Sequence, residues 1–330
     1  MIPASFSRLR PLGEGGSRPA GVELTPADLP DGDVVVEVDY SSLNYKDGLA
    51  VSGQGRIARS LPMTCGIDLA GRVVESSSAD WSEGDEVIAT GWGLSETEQG
   101  GYTRYQRVRS QWLVRKPSAF SALESMAIGT AGLTAMLCVL RLQAHGLRDG
   151  AKIVVTGASG GVGSVAVALL ARAGYEVEAS TGSAASHELL TSLGASSIID
   201  RAELSEPGRP LGKERWDAGV DTVGSHTLAN VLSQISYGGA VAACGLAGGA
   251  DLPSTVMPFI LRGVDLLGVD SVYAPIERRV EPWDRLAADL PSDVLAQMTT
   301  VRAFDDLPRL ADDILAGATQ ARVVIDVAGA

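Results

Sequence analysis

The sequence predicts an α/β protein with two domains, a small β-rich domain and a doubly wound parallel sheet flanked by helices. Three observations support this prediction. At 330 residues, the chain is longer than a typical single domain. Its first third consists of short extended segments separated by glycine turns. From Lys152 onward, apolar strand-like segments alternate with helical segments, which is the pattern of a parallel sheet covered by helices on both faces.

The β-rich domain is predicted over residues 1–124. An alternating apolar segment follows an Asp-Gly turn at Asp31, and shorter segments of the same kind occupy residues 66–76 and 84–90. Short strands with frequent glycine turns indicate a small, irregular barrel. The tail, residues 300–330, contains a helix and a final strand, and we expect it to complete this domain.

The second domain is predicted over residues 125–299. Ser121 and Glu124 have the spacing of a capping box, and apolar residues at helical spacing follow them. The strand at 152–157 then precedes a helix, and the same alternation continues to about Val272. A right-handed series of such units builds a parallel sheet.

Composition and charge limit the classes of partner. Hydrophobic residues make up 45% of the chain and charged residues 20%, which is ordinary for a globular protein. The formal net charge of −13 argues against nucleic acid, because no broad basic field is present to replace phosphate counterions. No apolar run approaches the length of a membrane span, and residues 1–16 lack the apolar core of a signal peptide. Three widely spaced cysteines imply no disulfide framework, so we expect a cytoplasmic protein.

A glycine-rich turn follows the first strand of the second domain. Ala158, Gly160 and Gly163 have the spacing of the dinucleotide fingerprint, with alanine in place of its first glycine. Gly160 would let the backbone approach a pyrophosphate, and the free amides of Gly161 and Val162 would point at it from the helix N-terminus. A tight strand-to-helix turn can also use glycines for geometry alone. The strand, helix and second strand around this turn favour the cofactor interpretation.

The next strand ends in hydroxyl groups rather than in an acid. An Asp or Glu about 20 residues beyond the glycine loop would bind the ribose 2′-hydroxyl of NAD. That position falls on residues 180–183, with the sequence Ser-Thr-Gly-Ser. Glu178 precedes the strand end, whereas Arg201 closes the following strand and could neutralise a 2′-phosphate. We therefore predict that NADPH is favoured over NADH.

A metal site is not expected. Structural zinc needs clustered thiolates, and catalytic zinc needs Cys, His or carboxylate ligands. Cys65 has no thiol near it in the sequence, and the histidines, at positions 145, 187 and 226, all lie in the second domain. Both kinds of zinc site are improbable on this distribution.

The stretch from Asn44 to Asp47 concentrates polar chemistry at a strand end. One interpretation is a turn with Tyr45 as half-buried packing. The other places Tyr45 or a neighbour beside a nicotinamide ring. Arg56 and Arg59 follow in the same loop and could meet an anionic arm of a substrate, or form a solvated basic surface.

Several stretches together resemble the acryloyl-CoA reductase branch of the zinc-free, quinone oxidoreductase-like medium-chain dehydrogenase/reductase superfamily. They include "SSLNYKDGLA", "PMTCGIDLAGRVV", "VVTGASGGVGS", "GLAGG", "VMPFILRGVDLLGVDSV" and "ERR". The resemblance covers nearly the whole chain. It implies a GroES-like catalytic domain, closed by the C-terminal tail, and a Rossmann domain, with NADPH in the cleft between them.

Residue by residue, the resemblance implies cofactor contacts along the whole chain. They fall on Tyr45, Ser159, Gly160, Gly161, Val162, Thr181, Gly182, Ser183, Arg201, Leu246, Ile260, Ser271 and Gln320. One departure concerns Ser183, because the branch usually has an arginine there, and its loss leaves Arg201 as the main cationic partner of a 2′-phosphate.

The activity implied by the resemblance is NADPH-dependent reduction of acryloyl-CoA to propanoyl-CoA by a homodimer. Tyr45, Asn44 and Asp47 are the candidate catalytic residues, with Tyr45 the best hydrogen-bond donor by type and position, although water could supply the proton. Arg56 and Arg59 would meet the CoA arm. A quinone or general enal reductase, and a non-catalytic NADP-binding protein with a structural role, are the alternatives.

Overall fold

The computed structural model describes residues 2–9 and 21–329, which divide into two compact units. The first comprises the described parts of Met1–Thr130, Val272–Ala287 and Thr299–Ala330. The second comprises Ala131–Ser271 and Ala288–Met298. The α/β fold class predicted from the sequence, with a GroES-like β-rich part and a parallel sheet, is confirmed.

The first unit is built mainly of antiparallel strands. Its strands are β1 (Phe6–Leu9), β2 (Gly21–Leu24), β3 (Val34–Leu43), β4 (Asp68–Ser76), β5 (Glu86–Thr90), β6 (Tyr105–Val108), β7 (Val114–Arg115), β14 (Thr299–Ala303) and β15 (Arg322–Asp326). Its helices are α1 (Tyr45–Ser52), α8 (Glu277–Asp289, as far as Ala287) and α10 (Leu307–Leu315). The larger sheet of the described residues has the order β14-β15-β3-β4-β5-β7, with β6 also paired to β3.

Alternation in the sequence explains this sheet. Val34, Val36 and Val38 on β3 are fully buried and pack with side chains from β4, β5 and α10 in one hydrophobic core. The tail joins the same sheet, because β15 pairs antiparallel with β3 through Val323–Asp326. The strand end that carries Asn44 therefore lies beside the start of β15.

The observed division differs from the predicted one at residues 125–130 and 272–287, which were expected in the second domain. Arg279 accounts for the position of the second segment, because its side chain is fully buried in the first unit. It donates to the backbone oxygens of Thr90, Val272 and Ala274, and its guanidinium lies 4.3 Å from the ring centroid of Trp92. A buried guanidinium requires several acceptors, and these tie the segment to the β-rich unit.

The second unit is a parallel sheet with helices between its strands. The strands are β8 (Lys152–Val155), β9 (Glu176–Thr181), β10 (Ser197–Asp200), β11 (Trp216–Asp221), β12 (Ile235–Ala243) and β13 (Asp265–Gly268). The helices are α3 (Gly161–Arg172), α4 (His187–Ser192), α5 (Ala202–Ser205), α6 (Ser225–Gln234), α7 (Met257–Arg262) and α9 (Ser292–Met298). The order β10-β9-β8-β11-β12-β13 runs outward in both directions from β8, so the switch point where such sheets bind ligands lies between β8 and β11.

Helix α2 (Ala122–His145) begins in the first unit and continues into the second. The predicted capping box is confirmed, since the Ser121 backbone amide donates to the Glu124 carboxylate at 2.8 Å and the Glu124 backbone amide donates to the Ser121 hydroxyl oxygen at 3.2 Å. Gly129 has non-helical angles, φ 51° and ψ −158°, and breaks the helix. The sequence prediction that no apolar run approaches the length of a membrane span is wrong, because α2 is long and apolar enough to cross a membrane. Most of α2 is nevertheless buried inside the protein, as in a core helix.

Candidate functional site

The glycine loop lies at the carboxyl end of β8, beside the switch point. Gly160 precedes helix α3 with extended backbone angles, and the helix begins at Gly161. A side chain at Gly163 would lie 2.3 Å from the backbone oxygen of Gly157, so the helix packs closely on the loop only because residue 163 has none. Gly160 is exposed, and a Cβ atom there would make a tight contact, 3.2 Å, with the Gly157 backbone oxygen alone. The exposed backbone of Gly160 is where a phosphate would approach the helix N-terminus.

A buried carboxylate braces this loop against the end of β11. Asp221 accepts hydrogen bonds from the Thr156 hydroxyl and the Gly224 amide, both at 2.7 Å. Thr222 in turn donates from its hydroxyl to the Thr156 backbone oxygen at 3.0 Å. Burial raises the pKa of Asp221, so these donors compensate a carboxylate held out of water. No local pattern in the sequence predicts Asp221 as a site residue.

Hydroxyl groups surround the end of β9. Thr181 donates to the Ser159 hydroxyl at 2.9 Å and accepts from the Ser183 amide at 3.1 Å. Ser186, which the sequence analysis missed, donates to the Ser183 hydroxyl at 2.9 Å. Arg201 reaches the same place, because its amide bonds the Thr181 backbone oxygen at 3.1 Å. Four hydroxyls and the Arg201 side chain, which lies against Gly182, thus converge at the end of β9, where the 2′-phosphate subsite is predicted.

The acids near this subsite are engaged elsewhere. Glu178 accepts hydrogen bonds from the Trp216 ring, Arg215 and Ser197. Asp200 accepts from the Ala202 amide at 2.9 Å, at the start of α5. Glu178 is therefore engaged within the second unit, and one oxygen of Asp200 is held at the start of α5.

At the carboxyl ends of β12 and β13 there is an open cavity of about 410 Å³, lined by residues 243–246 and 268–270. Leu246 is exposed on its wall, and Ser271 follows with its hydroxyl 2.6 Å from that of Thr134. Ile260 lies on α7 and is 72% exposed. Most predicted cofactor contacts thus lie on the second unit, and several share one edge of its sheet. Tyr45 and Gln320 belong to the first unit.

Tyr45 is the first residue of helix α1, and Asn44 caps that helix. The Asn44 amide donates to Asp47 Oδ2 at 2.9 Å, so Asn44 and Asp47 form a capping box. Tyr45 is 44% exposed, whereas Asp47 is fully buried. The capping box explains why these residue types follow the strand, and it presents the phenol to solvent.

The side chain of Asn44 is held between opposite charges. Its amide nitrogen donates to Asp68 at 3.1 Å, and its amide oxygen accepts from Arg322 at 3.2 Å. Arg322 also donates to the backbone oxygens of Ala127 and Met126, while Asp68 accepts from the Thr130 amide at 2.9 Å. This buried pair therefore caps both ends of the break in α2 and fixes the start of α1. The sequence analysis named neither Asp68 nor Arg322 as a site residue.

Burial and the nearby charge of Asp68 raise the pKa of Asp47 to about 7, although hydrogen bonds from Asn44 and Ile67 oppose the shift. In the unfolded chain the pKa returns to its ordinary value of 3.8. Between these values the native state holds a proton that the unfolded state has released. Stability from this group is therefore highest below pH 4 and falls as pH rises toward 7.

We expect Asp47→Asn to flatten the pH dependence of the free energy of unfolding between about pH 4 and 7. Across this window the free energy of unfolding of the wild type should fall as pH rises, with a slope that approaches the value for one proton released on unfolding. Urea unfolding at several pH values measures both slopes, and Asp31→Asn, on the surface, is the matched control. Equal slopes for wild type and Asp47→Asn would show that Asp47 is already ionised at pH 4.

Arg56 and Arg59, which are predicted to contact an anionic arm of the substrate, have different surroundings. Lys46 and Arg59 both pair with Glu96, Arg59 at 3.5 Å. Arg59 is nevertheless largely exposed, so its pairing is weak. Arg56 is exposed and forms no ion pair with any described residue, which leaves its charge available to a ligand.

Two known sequence families cover most of the chain. Residues 30–118 match the alcohol dehydrogenase GroES-like domain, and residues 161–287 match the zinc-binding dehydrogenase family. The chain also superposes on the crystal structure of the yhdH oxidoreductase from Salmonella enterica in complex with NADP. The TM-score is 0.95 and the identity 48%, over 97% of this chain and 99% of the other. These findings define the class as an oxidoreductase of the medium-chain dehydrogenase/reductase superfamily.

Full-length relatives narrow this class. The acrylyl-CoA reductase AcuI of Ruegeria pomeroyi is 50% identical over 95% of this chain and 96% of its own length. The probable acrylyl-CoA reductase AcuI of Escherichia coli is 52% identical over 92% and 94%. The putative quinone oxidoreductase YhfP of Bacillus subtilis is 45% identical over 92% of both chains. The chain belongs to the acrylyl-CoA reductase family.

The name of one matching family refers to zinc, and the residues present do not fit that metal. Among the residues that the structure describes, no group of three or more His, Cys, Asp and Glu side chains could hold a metal ion. Burial raises the pKa of the Cys65 thiol, which opposes the thiolate that zinc requires. The oxygens of Asp47 and Asp68 already accept hydrogen bonds from within the first unit.

Proposed function

We propose that this protein is an NADPH-dependent reductase that converts acryloyl-CoA to propanoyl-CoA. The observation that carries this proposal is the similarity, over nearly the full length, to acrylyl-CoA reductases of two bacteria. The hydroxyl groups and Arg201 at the end of β9 support NADPH as the reductant.

Bound NADPH supplies the hydride that reduces the carbon–carbon double bond. The backbone amides at the start of α3 would hold the pyrophosphate, and Arg201 with Ser159, Thr181 and Ser183 would hold the 2′-phosphate. The cavity beside Leu246 has the apolar walls that suit a nicotinamide ring.

Tyr45 would contact the nicotinamide end of the cofactor through its ring. Its exposure means that solvent can reach the phenol, so a water molecule can deliver the proton to the α-carbon of the thioester. The negative charge that develops on the thioester oxygen requires a hydrogen-bond donor. The phenol hydroxyl of Tyr45 is the candidate for that donor, as an alternative to a role of the ring alone. Asn44 and Asp47, predicted as catalytic, are better assigned as positioning residues, because their polar atoms bond each other.

Arg56 and Arg59 would meet the phosphates of the CoA arm. Arg56 is the better candidate, since its charge is unpaired among the described residues, whereas Arg59 shares Glu96 with Lys46. A free enal or a quinone carries no such anionic arm. A CoA-specific role therefore predicts that Arg56→Ala raises KM for the thioester and leaves KM for a free enal unchanged.

A quinone reductase is the second candidate, favoured by the similarity to the putative quinone oxidoreductase of Bacillus subtilis. NADPH oxidation followed at 340 nm with acryloyl-CoA, a free enal and a quinone separates the candidates. We expect the largest kcat/KM with acryloyl-CoA. A larger value with the quinone would reject the proposal, and no turnover with any of the three would indicate a non-catalytic NADP-binding protein.

Turnover of acryloyl-CoA is expected to survive exhaustive chelation, because the donor groups that zinc needs are absent from the described residues or already engaged. Activity before and after dialysis against a strong chelator, together with zinc analysis of the protein, measures this. Stoichiometric zinc whose removal abolishes activity would contradict the zinc-free assignment.

The enzyme would act in the cytoplasm as a homodimer. Strand β13 is at the end of the sheet order, and Leu266 on it is exposed. A second copy could extend the sheet there and cover this edge. Light scattering should then report twice the chain mass of 34.2 kDa, and a monomer would reject the dimer.

A further inference from the structure

Two of the three cysteines meet in the second unit. Cys138 lies on helix α2 and is fully buried, whereas Cys244 directly follows β12 and is half-buried. The Cys138 thiol donates a hydrogen bond to the sulfur of Cys244. The third cysteine, Cys65, belongs to the first unit. The fold of the second unit therefore brings together two reduced thiols that are far apart in the sequence.

Helix α2 presents Cys138 to the carboxyl ends of the strands. Thr134 lies four residues earlier, so it is on the same face of the helix. Its hydroxyl donates to the hydroxyl of Ser271 at 2.6 Å, and Ser271 directly follows residues 268–270, which line the open cavity. This contact holds the helix face that carries Cys138 at the edge of the sheet where β12 and β13 end.

Cys244 lies in the wall of that cavity. Its backbone amide donates to the backbone oxygen of Asp221 at 3.0 Å, and its thiol donates to the same oxygen at 3.4 Å. A thiol is a weak donor, so the amide bond fixes the backbone while the sulfur can leave its partner. Because residues 243–246 line the cavity, a small solute can reach this sulfur.

The two thiols differ in the way that a reactive pair requires. The hydrogen bond to Cys244, together with burial, raises the pKa of the Cys138 thiol, so Cys138 keeps its proton. The first attack on an oxidant therefore belongs to Cys244, which is also the accessible thiol. A single buried cysteine acts as a small apolar side chain, but two adjacent thiols, one of them beside a cavity, can be oxidised together.

We propose that Cys138 and Cys244 form a redox-active dithiol, which a hydroperoxide converts to a disulfide that weakens cofactor binding. The Cys244 sulfur attacks one oxygen of the hydroperoxide, so that an S–O bond forms, the O–O bond breaks, and an alcohol or water leaves with the thiol proton. The Cys138 sulfur then attacks the Cys244 sulfur. The S–S bond forms, the S–O bond breaks, and the hydroxyl leaves as water with the Cys138 proton. The two thiols lose two electrons, and the hydroperoxide gains them.

The disulfide would move the wall of the cavity. Bonded sulfurs are closer together than two thiols that share a hydrogen bond, so Cys244 would shift toward α2 and lose its thiol bond to Asp221. Leu246 is exposed on the same wall, beside the proposed position of the nicotinamide. The effect on cofactor binding therefore rests on the proposed function, whereas the formation of the disulfide does not.

The test is oxidation of the full chain with hydrogen peroxide. Thiol titration after denaturation should show that two of the three thiols are lost and that dithiothreitol restores them. Peptide mapping without reduction should find a linkage between Cys138 and Cys244. In fluorescence titrations, oxidation should weaken NADPH binding by about 3- to 10-fold, as expected for lost packing around one ring, and dithiothreitol should reverse the loss.

Cys65→Ala is the matched control, and it should retain both the linkage and the loss of affinity. Cys138→Ala should form no linkage and should keep its NADPH affinity under the same treatment. Cys244→Ser, at the less buried position, tests the same point if replacement of Cys138 prevents folding.

The proposal would be overturned if the oxidised wild type had no linkage between Cys138 and Cys244, or if the disulfide left NADPH affinity unchanged. An equal loss of affinity in oxidised Cys138→Ala would also overturn it, because modification of Cys244 alone would then be sufficient. A reduced wild type that binds no NADPH would reject the proposed function, and the peptide map would still decide whether the disulfide forms.

Discussion

Arg201→Ala is expected to weaken NADPH binding by about 10- to 100-fold while changing NADH binding less than about 2-fold. A hydrogen bond to a charged group contributes about 1.5–3 kcal/mol, and the phosphate of NADPH is the only charge that distinguishes the two cofactors. Arg201 is the cation at the end of β9, because its side chain lies against Gly182 there. Fluorescence titration with both cofactors measures the two effects.

Arg209→Ala is the matched control for this experiment. Arg209 is an exposed arginine of the same unit, outside the loops at the carboxyl ends of the strands. Its removal alters the net charge equally and should leave both dissociation constants near wild type. If Arg201→Ala weakened NADPH and NADH to the same extent, the arginine would serve the fold rather than the phosphate. The preference for NADPH would then need another origin.

Tyr45→Ala is expected to weaken NADPH binding by about 3- to 10-fold and to lower turnover, whereas Tyr45→Phe should be nearly silent. The reason is the proposed role of the ring, since aromatic contacts contribute about 0.5–1.5 kcal/mol beyond burial. The phenylalanine variant keeps the ring and removes the hydroxyl. Steady-state kinetics and cofactor titration of the three proteins separate the two functions of the side chain.

A different pattern would identify the hydroxyl as the donor to the thioester oxygen. In that case Tyr45→Phe would reduce kcat by roughly 100-fold or more with little change in NADPH affinity. If both variants matched wild type in turnover and affinity, Tyr45 would be ordinary surface packing. The capping box of Asn44 and Asp47 is retained in both variants, so neither result reflects loss of helix α1.

Local patterns in the sequence were sufficient to predict the fold class. Alternating apolar residues predict β3, and the alternation of buried strands with helices predicts the parallel sheet from β8 onward. The glycine spacing of the dinucleotide fingerprint agrees with the close packing that the structure shows at Gly163. These features depend on neighbours within one strand, turn or helix, so a single sequence contains the information that specifies them.

The hydroxyl groups at the end of β9 could also be predicted from the local sequence. Thr181 and Ser183 follow the glycine loop at the distance where many dinucleotide folds carry an acid, and the absence of that acid is visible in the sequence. Arg201 could be placed near them, because parallel strands end at the same edge of a sheet. The hydrogen bond of Ser186 to Ser183 could not be predicted, because it depends on how the chain turns after β9.

Only the tertiary structure decided the contacts between residues far apart in the chain. Asp68 and Arg322 are 254 positions apart by their numbers in the sequence, yet both bond the side chain of Asn44 and cap the break at Gly129. Arg279 likewise places residues 272–287 in the β-rich unit. A buried charge must find partners wherever the fold brings them, and the partners of these residues lie on other strands and loops. Their local sequence carries no periodic pattern that could indicate which groups they would meet.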